Sequence, residues 1–182
     1  MAKHLKQAGY KFHLSLIGNG ELEDEIREMI KEEGVEDCVF MLGAMKPDEV
    51  RKHMEQSEIF ICTSDFNEGW GAVMNESMNS ACAVVASHAI GSVPFLINDG
   101  ENGFVYKNGN IDDLFNKVKF LLDNPKKRKQ VSLNAYKTMV ETWNAENAVK
   151  QFLLLNDALT NGNVGGTVEY GPCSFASINL SE

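Results

Sequence analysis

The sequence predicts a doubly wound α/β fold built on a parallel sheet. The first observation behind this prediction is that short apolar runs alternate with segments whose apolar residues recur at helical spacing. The second is that several of these runs end at glycines or polar loops, as strands do. Strands that alternate with helices are typical of parallel sheets that helices cover on both faces.

Length and composition limit the functions that this fold could serve. The chain has 182 residues, enough for one domain with a sizeable core and too few for two full ones. It carries 17 basic and 26 acidic residues, a net charge of −9. Because nucleic-acid surfaces need clustered Lys and Arg, this balance argues against a nucleic-acid partner. A ligand with phosphate groups stays open, since backbone amides at a helix N-terminus hold phosphate without side-chain charge.

The cysteines and the first residues bear on the compartment. Three of the 4 cysteines lie in or beside apolar runs and no Cys-x-x-Cys occurs. Buried free thiols in a reducing cytoplasm are therefore expected rather than a zinc or redox site. No apolar run approaches the ~18 residues of a membrane span, and Met1-Ala-Lys-His-Leu-Lys does not form a signal peptide. We expect a soluble, cytoplasmic protein.

The N-terminal half of the chain predicts three strands with helices between them. An acidic helix follows Gly18 and Gly20 and stops near Gly34. Pro47 opens the next helix, because the first helical position tolerates a missing N–H. The predicted strands of this half are Lys11–Ile17, Cys38–Leu42 and Glu58–Cys62, and a helix over about Gly71–Ala81 follows the last of them.

The C-terminal half adds two strands and three helices. Asn110 is a good N-cap for a helix with a clear apolar stripe. The predicted strands are Ala83–Ala86 and Gly103–Tyr106, and the further helices lie at about Lys126–Val140 and Ala145–Leu159. We therefore expect one domain over residues 1–160 and a flexible tail over residues 161–182, which is rich in Gly and Asn at its start.

The most informative segment begins at Asp65 and reads Asp-Phe-Asn-Glu-Gly-Trp-Gly-Ala-Val-Met-Asn-Glu-Ser-Met. It follows a predicted strand, turns through Gly69 and Gly71, and becomes a helix. In a doubly wound sheet, ligands bind beyond the carboxyl ends of the strands, where this segment lies. The glycines let the backbone come close to a ligand, and amides backed by a helix dipole suit a diphosphate.

Two carboxylates in this segment, Glu68 and Glu76, allow three interpretations. A glycosidase pair needs carboxyl groups about 5–9 Å apart across one sugar bond, and nothing in the sequence fixes such a pair. A metal site would prefer denser oxygen ligands, and no Asp-x-Asp occurs in the chain. In the third interpretation, which we prefer, both carboxylates accept hydrogen bonds from hydroxyls of one extended ligand, because a carboxylate accepts two such bonds.

The segment that contains Glu68 and Glu76 closely resembles the signature of family 4 glycosyltransferases, which have the two-domain GT-B fold. The resemblance covers roughly residues 3–160. It continues, in the family's order and spacing, through Leu16-Ile-Gly-Asn-Gly-Glu-Leu, Val39-Phe-Met-Leu-Gly, Ile59-Phe-Ile-Cys-Thr-Ser, Ala83-Val-Val-Ala-Ser, Asp99-Gly-Glu-Asn-Gly-Phe and Trp143-Asn-Ala-Glu-Asn. It implies a Rossmann-like doubly wound parallel sheet, the C-terminal, donor-binding half of a GT-B fold lacking its first strand.

The resemblance implies a role for each matching position. Glu68 would contact hydroxyls of the transferred sugar near the reacting carbon, and Glu76 would hold the hydroxyls of the nucleotide ribose. Trp70 could cover the donor sugar or pack beside the motif. The sugar and the distal phosphate would be bound by Gly69, Trp70, Gly71 and Ala72, the donor cleft would be bordered by Gly18 and Gly20, and further candidates there are His88, Gly91 and Ser92.

The function implied is that of a retaining, metal-independent hexosyltransferase of polysaccharide biosynthesis. Its substrates would be a nucleotide sugar, UDP- or GDP-hexose, and a glycan or lipid-linked acceptor, with no cofactor. Two rivals stay open: a nucleotide-sugar epimerase of the same architecture, and a non-catalytic nucleotide-sugar-binding module. An epimerase would need an acid–base pair poised near neutral pH, and the Glu68 segment offers no clear one.

The sequence departs from the family pattern in three ways. Ala81 and Ala83 stand where the family usually has Gly and Pro, for which we expect only a local cost. Phe95 stands where the family often has Glu. The third departure is the absence of the strand and loop that carry an Arg and a Lys to neutralise the diphosphate. The arginines of this chain are Arg27, Arg51 and Arg128, all on predicted surface helices.

The third departure leads to the expectation of a chain truncated at its N-terminus, without the acceptor-binding domain. Alone it would have no transferase activity and bind nucleoside diphosphates weakly, and peripheral membrane association would belong only to the full-length protein. In the common strand order, the first strand is central. The strands Lys11–Ile17 and Glu58–Cys62 would then flank an empty strand position. The two strands could close up and pair, the N-terminal residues could fill the position, or a second copy of the chain could supply a strand. We expect the two strands to close up and pair.

Overall fold

A computed structural model of the chain describes residues 1–162 and 168–175. The strands are β1 (Leu14–Ile17), β2 (Val39–Gly43), β3 (Ile59–Cys62), β4 (Ala83–Ser87) and β5 (Phe104–Tyr106). The helices are α1 (Ala2–Gln7), α2 (Glu23–Glu32), α3 (Pro47–Gln56), α4 (Val73–Asn79), α5 (Val93–Leu96), α6 (Ile111–Asp123), α7 (Pro125–Lys137) and α8 (Ala145–Thr160), with a π-helical turn over Thr138–Thr142. This alternation confirms the predicted α/β class, although the sequence pattern does not predict the short helix α5.

All strand pairs of the described residues are parallel, as predicted. β1 pairs with β2, and the order of the other sheet is β3-β4-β5. The register between β1 and β2 shifts once, because Leu16 pairs with Met41 while Ile17 pairs with Gly43. This bulge bends the end of β2 at the edge where the loops after β1 and β2 meet.

The expectation that β1 and β3 close up and pair is wrong. Each of them pairs on one side only within the described residues, β1 with β2 and β3 with β4. The physical reason lies in α1, where Leu5 is 2% exposed and packs into the core beside β4 and β5. Ala2 of the same helix and Phe12 pack against the core beside β1 and β2. Apolar contacts therefore join the two sheets without strand pairing.

Strand β4 is the centre of the core. All five of its residues are buried, and its four apolar residues alternate between two clusters, as a strand with both faces covered requires. Val84 and Ala86 face the cluster that contains Met74 and Met78 of α4. The opposite face carries Ala83 and Val85 and packs against apolar residues of α6 and α7, namely Leu114, Val118, Leu121 and Val131.

The turn from α4 into β4 contains two of the departures from the family pattern. Ala81 has a φ of +58°, in the left-handed region, where an L side chain costs about 1–2 kcal/mol. The amide of Cys82 donates to the carbonyl of Ser77 at 3.1 Å and closes the helix end. Ala83 donates its N–H to the carbonyl of Glu58 at 3.0 Å, a bond that a proline could not make.

The last described segment, residues 168–175, lies against the end of the helical layer. Tyr170 meets Trp143 edge-on at a ring-centroid distance of 6.3 Å. A Cβ on Gly171 would lie 2.9 Å from Cγ2 of Thr142. The rest of the predicted flexible tail, residues 163–167 and 176–182, lies outside the described residues. Among the described residues, no helix combines the length and the apolar character that crossing a membrane requires.

Candidate functional site

The loop after β3 is held in shape by its own polar groups. Asp65 accepts hydrogen bonds from the backbone N–H of Asn67 at 2.8 Å and from its side-chain amide at 3.1 Å. The N–H of Glu68 donates to the carbonyl of Asp65 at 3.1 Å. The Asp65 carboxylate is thus engaged in the loop, which leaves Glu68 as the carboxylate that can receive a ligand.

Glycines allow this loop to pack directly on the loop after β4. A Cβ on Gly91 would lie 2.0 Å from the carbonyl oxygen of Gly69, a contact that no side chain can make. Gly71 has a φ of +70°, and a Cβ there would lie 2.9 Å from Cγ2 of Ile90 and 3.4 Å from Cγ of Glu68. The two loops therefore form one unit at the carboxyl edge of the β3-β4-β5 sheet.

Four consecutive backbone amides in this unit lack a partner. The N–H groups of Gly69, Trp70, Gly71 and Ala72 donate no hydrogen bond within residues 1–162 and 168–175. All of these residues except Gly71 are exposed. Unsatisfied amides in a turn that leads into a helix form a site with positive partial charge, which suits an anion such as a phosphate.

Glu68 and Glu76 both present carboxylates that no cation neutralises among the described residues. Glu68 is half-buried, and the Ser64 hydroxyl lies 3.5 Å from its Oε2. It lines an open cavity of about 400 Å³ whose other lining residues are Thr63, Ser64, Asp65 and Asn67. Glu76 is exposed in the first turn of α4 and does not line this cavity. Both carboxylates can accept hydrogen bonds from hydroxyl groups.

Trp70 packs beside the motif, which is one of the two alternatives that the sequence left open. Its indole Nε1 donates to Oδ1 of Asn75 at 2.8 Å. Its ring lies 5.6 Å from that of Phe95 and 5.7 Å from that of Trp143, and the side chain remains 41% exposed. The aromatic neighbours of Trp70 come from α5 and from beyond α7, so sequence spacing could not have identified them.

The further candidates near the cleft lie in the loop between β4 and α5. His88 is exposed, and its Nδ1 accepts a hydrogen bond from the N–H of Asn108 at 2.9 Å. The same ring meets Phe66 edge-on at 5.4 Å, so His88 touches the loop of Glu68. Ser92 is 0% exposed, and its hydroxyl has no hydrogen-bond partner within the described residues.

Gly18 and Gly20 lie at the carboxyl edge of the other sheet. The N–H of Gly18 donates to the carbonyl of Gly43 at 2.9 Å and ties the loops after β1 and β2 together. Both glycines are exposed, and a Cβ on either would meet nothing within 4 Å. They are thus placed in an open loop, on a sheet that does not pair with the one that carries Glu68.

The arginines do not line the cavity beside Glu68. Arg27 pairs with Glu23 on its own helix, Arg128 pairs with Glu58, and Arg51 is exposed on α3. The cavity beside Glu68 has no cation among its lining residues. Over the ranges 1–162 and 168–175, no group of three His, Cys, Asp or Glu side chains could hold a metal ion.

Known glycosyltransferases match both the sequence and the fold described above. The family described as "Glycosyl transferases group 1" matches residues 1–138. Over 150 residues, the chain is 29% identical to a poly(ribitol-phosphate) alpha-N-acetylglucosaminyltransferase from Staphylococcus aureus (strain COL). That alignment covers 82% of this chain and 29% of the relative, so the chain spans less than a third of the relative's length.

The solved structures that are similar to this chain include the following two. A mutant of S. aureus TarM, in complex with fondaparinux, alpha-GlcNAc-glycerol and UDP, has a TM-score of 0.72 at 26% identity, covering 85% of this chain and 30% of that one. The C-terminal domain of a glycosyl transferase group 1 family protein (LpcC) from Francisella tularensis has a TM-score of 0.67 at 26% identity, covering 76% of this chain and 72% of that one. The parallel α/β architecture is that of Rossmann-like glycosyltransferases of the GT-B type. On this evidence, the chain belongs to the group 1 glycosyl transferases.

Proposed function

We propose that this chain is the donor-binding part of a retaining family 4 glycosyltransferase that moves a hexose from a nucleotide sugar to a glycan or lipid-linked acceptor. The observation that carries the proposal is the loop after β3, where four consecutive amides without partners among the described residues stand, in the sequence, between Glu68 and Glu76. An anion-binding backbone beside two hydroxyl acceptors matches the parts of a nucleotide sugar: a diphosphate between two polyols. UDP in the similar TarM structure supports this choice of ligand.

The roles of the individual groups follow from their chemistry. Glu68, in the cavity at the carboxyl edge, would accept hydrogen bonds from the transferred sugar. Glu76, in the first turn of α4, would accept them from the ribose. The amides of Gly69–Ala72 would hold the distal phosphate, with Gly18 and Gly20 bordering the cleft from the other sheet. His88 and Gly91, which are both exposed, would complete the wall after β4, whereas Ser92 is 0% exposed and would contact a donor only if the loop between β4 and α5 moved.

The proposed enzyme uses no metal and no cofactor, and it works in the cytoplasm. The acceptor would be bound mainly by a further domain, since the chain spans 29% of its S. aureus relative. Any peripheral association with a membrane would belong to that larger protein. Positive charge that neutralises the diphosphate would also come from the larger protein, because no cationic side chain lines the cavity beside Glu68.

The chain alone should therefore bind a nucleoside diphosphate weakly and transfer no sugar. A hydrogen bond to a charged group contributes about 1.5–3 kcal/mol, so the lack of two cationic partners weakens binding at least ~100-fold. NMR titration of the 182-residue chain with UDP and GDP measures this affinity. A sub-micromolar dissociation constant would contradict this part of the proposal.

Two substitutions test the roles of the carboxylates. Glu76→Gln should weaken UDP and UDP-glucose binding alike, by about tenfold, because the ribose is common to both. Glu68→Gln should weaken UDP-glucose binding and leave UDP binding unchanged, because Glu68 would contact only the hexose, which UDP lacks. Glu55→Gln, at an exposed position of α3, is the matched control. Unchanged binding in both test variants would overturn the proposed site, and loss of binding in EDTA would overturn metal independence.

Product analysis distinguishes the proposed transferase from its two rivals, the epimerase and the non-catalytic binding module. After incubation with UDP-glucose, a nucleotide sugar with an inverted hydroxyl would favour an epimerase, which needs no acceptor. Glycoside formation by a longer protein that contains this chain favours the transferase. Donor binding without either product in that longer protein would favour a non-catalytic module.

A further inference from the structure

A second groove lies between α5 and the C-terminal end of α7, and the proposed donor site does not use it. Its volume is about 500 Å³, which is in the range of small-molecule sites. Its walls are formed by α5, the turn that follows it, the end of α7, the π-helical turn Thr138–Thr142 and the segment around Tyr170. The lining residues are Pro94, Phe95, Ile97, Asn98, Glu101, Asn102, Asn134, Lys137, Thr138, Glu141, Thr142 and Tyr170.

Aromatic rings connect this groove with the Glu68 loop. Phe95 lines the groove and lies 5.6 Å from the ring of Trp70, which is two residues from Glu68. Trp143 lies 6.4 Å from Phe95 and 6.3 Å from Tyr170, the other aromatic residue of the groove wall. Tyr170 and Trp70 are 51% and 41% exposed, so both can contact a ligand. We call the groove and these rings the aromatic groove.

The walls of the aromatic groove are fixed by hydrogen bonds among its own residues. Asn102 is buried and donates to the carbonyl of Leu96 at 2.9 Å and to the Thr138 hydroxyl at 3.0 Å. Asn134 donates to the carbonyl of Glu101 at 2.8 Å. A groove whose shape is set in the absence of a ligand loses little conformational entropy on binding.

The polar lining favours a neutral, hydroxyl-rich ligand. Glu101 and Glu141 bring two negative charges against the single positive charge of Lys137. Such a lining repels a chain of phosphates but accepts hydrogen bonds from hydroxyl groups. The side chains of Lys137, Glu141 and Thr142 make no hydrogen bond within the described residues, so donors and acceptors are both available.

We propose that the aromatic groove binds a neutral oligosaccharide. Phe95, Tyr170 and the exposed part of Trp70 provide flat apolar faces for sugar rings, and Glu141, Lys137 and Thr142 provide partners for their hydroxyls. That this oligosaccharide is the acceptor or the growing product rests on the proposed function. The groove then places part of the acceptor contacts on this chain, beside the loop that would hold the donor.

Intrinsic fluorescence tests the proposal directly, because the chain has 2 tryptophans and both belong to the aromatic groove. The 182-residue chain is titrated with maltohexaose, cellohexaose and N-acetylchitohexaose as neutral probes. We expect a saturable change in emission with at least one of them. Tyr170→Ala should weaken that binding by about tenfold. Tyr136→Ala is the matched control, since Tyr136 is 40% exposed on α7 and does not line the groove.

Three outcomes would overturn the proposal: no saturable response to any neutral probe, tighter binding of poly(ribitol phosphate) than of the neutral probes, or equal weakening by Tyr170→Ala and Tyr136→Ala. A UDP titration of the same variants separates this proposal from the proposed function. If UDP binds and no glycan does, only the groove assignment fails. If a glycan binds through Tyr170 and UDP does not bind, the donor site fails and the glycan site stands.

Discussion

The two sheets of this chain are built from the same strand–helix pattern, yet they differ in how well they are buried. All five residues of β4 are buried, and helices α4 and α7 contribute fully buried side chains to its surroundings. In the β1–β2 sheet, every residue of β1 is only half-buried and α2 contains no buried residue. The comparison shows that similar sequence patterns give unequal burial, because the number of neighbouring elements decides how much of each strand is covered.

The better buried sheet is also the one that carries the Glu68 loop of the proposed donor site. β4 has a paired strand on each side, and clusters on both faces hold most of the buried side chains. The cluster at the β1–β2 sheet contains only three buried residues, Val35, Cys38 and Val39. The Glu68 loop therefore starts from a rigid edge, as a site that positions a ligand requires, while the loop of Gly18 and Gly20 starts from a less stable one.

The largest difference that we expect between the two sheets is in the labelling rate of their buried cysteines. Cys38 lies beside β2 and Cys82 precedes β4, and burial raises the pKa of both thiols, that of Cys82 to about 11 from the ordinary 9.0. A maleimide at pH 8 should modify exposed Cys173 at once and Cys38 at least tenfold faster than Cys82. The reason is that labelling of a buried thiol requires local opening, which costs less in the sheet with fewer neighbours. Site-resolved mass spectrometry measures the rates, and labelling of Cys82 before Cys38 would contradict the comparison.

A matched pair of leucine truncations sharpens the same comparison. Leu121 of α6 is 0% exposed and packs against β4, whereas Leu16 of β1 is half-buried. Leu121→Ala should lower the free energy of unfolding by about 3 kcal/mol, and Leu16→Ala by about 1 kcal/mol, because less apolar surface and a smaller cavity are involved. Urea denaturation measures both values. Equal losses would mean that the β1–β2 sheet is as well packed as the other one.

The smallest expected effect concerns the strained turn that enters β4. Ala81→Gly should raise the free energy of unfolding by about 1 kcal/mol, because glycine adopts the φ of +58° without steric cost. Ala145→Gly, in the first turn of α8, is the control and should lower it by up to about 1 kcal/mol. Thermal or urea denaturation compares the two. A loss of stability in Ala81→Gly would show that the turn is not strained.

Sequence alone determined the local features of the fold. Asn110 accepts a hydrogen bond from the N–H of Asp113 at 2.9 Å, as its position before an apolar stripe predicts. Pro47 is the first residue of α3, and each predicted strand is present within a few residues of its expected bounds. The turn at Gly69 and Gly71 could also be predicted from the sequence. All of these depend on residues close together in the chain, whose patterns reflect local conformational preferences.

Only the tertiary structure decided which distant residues meet. The contact of Trp70 with Phe95 and Trp143 joins three separate parts of the chain, and no spacing rule predicts it. Burial of the Ser92 hydroxyl and the packing of Gly91 on Gly69 likewise depend on how two loops approach each other. The same holds for the unpaired edges of β1 and β3, where the expected closure failed. Apolar contacts of α1 with both sheets stabilise an arrangement that strand periodicity does not specify, because periodicity fixes which face of a strand is apolar and leaves its neighbours open.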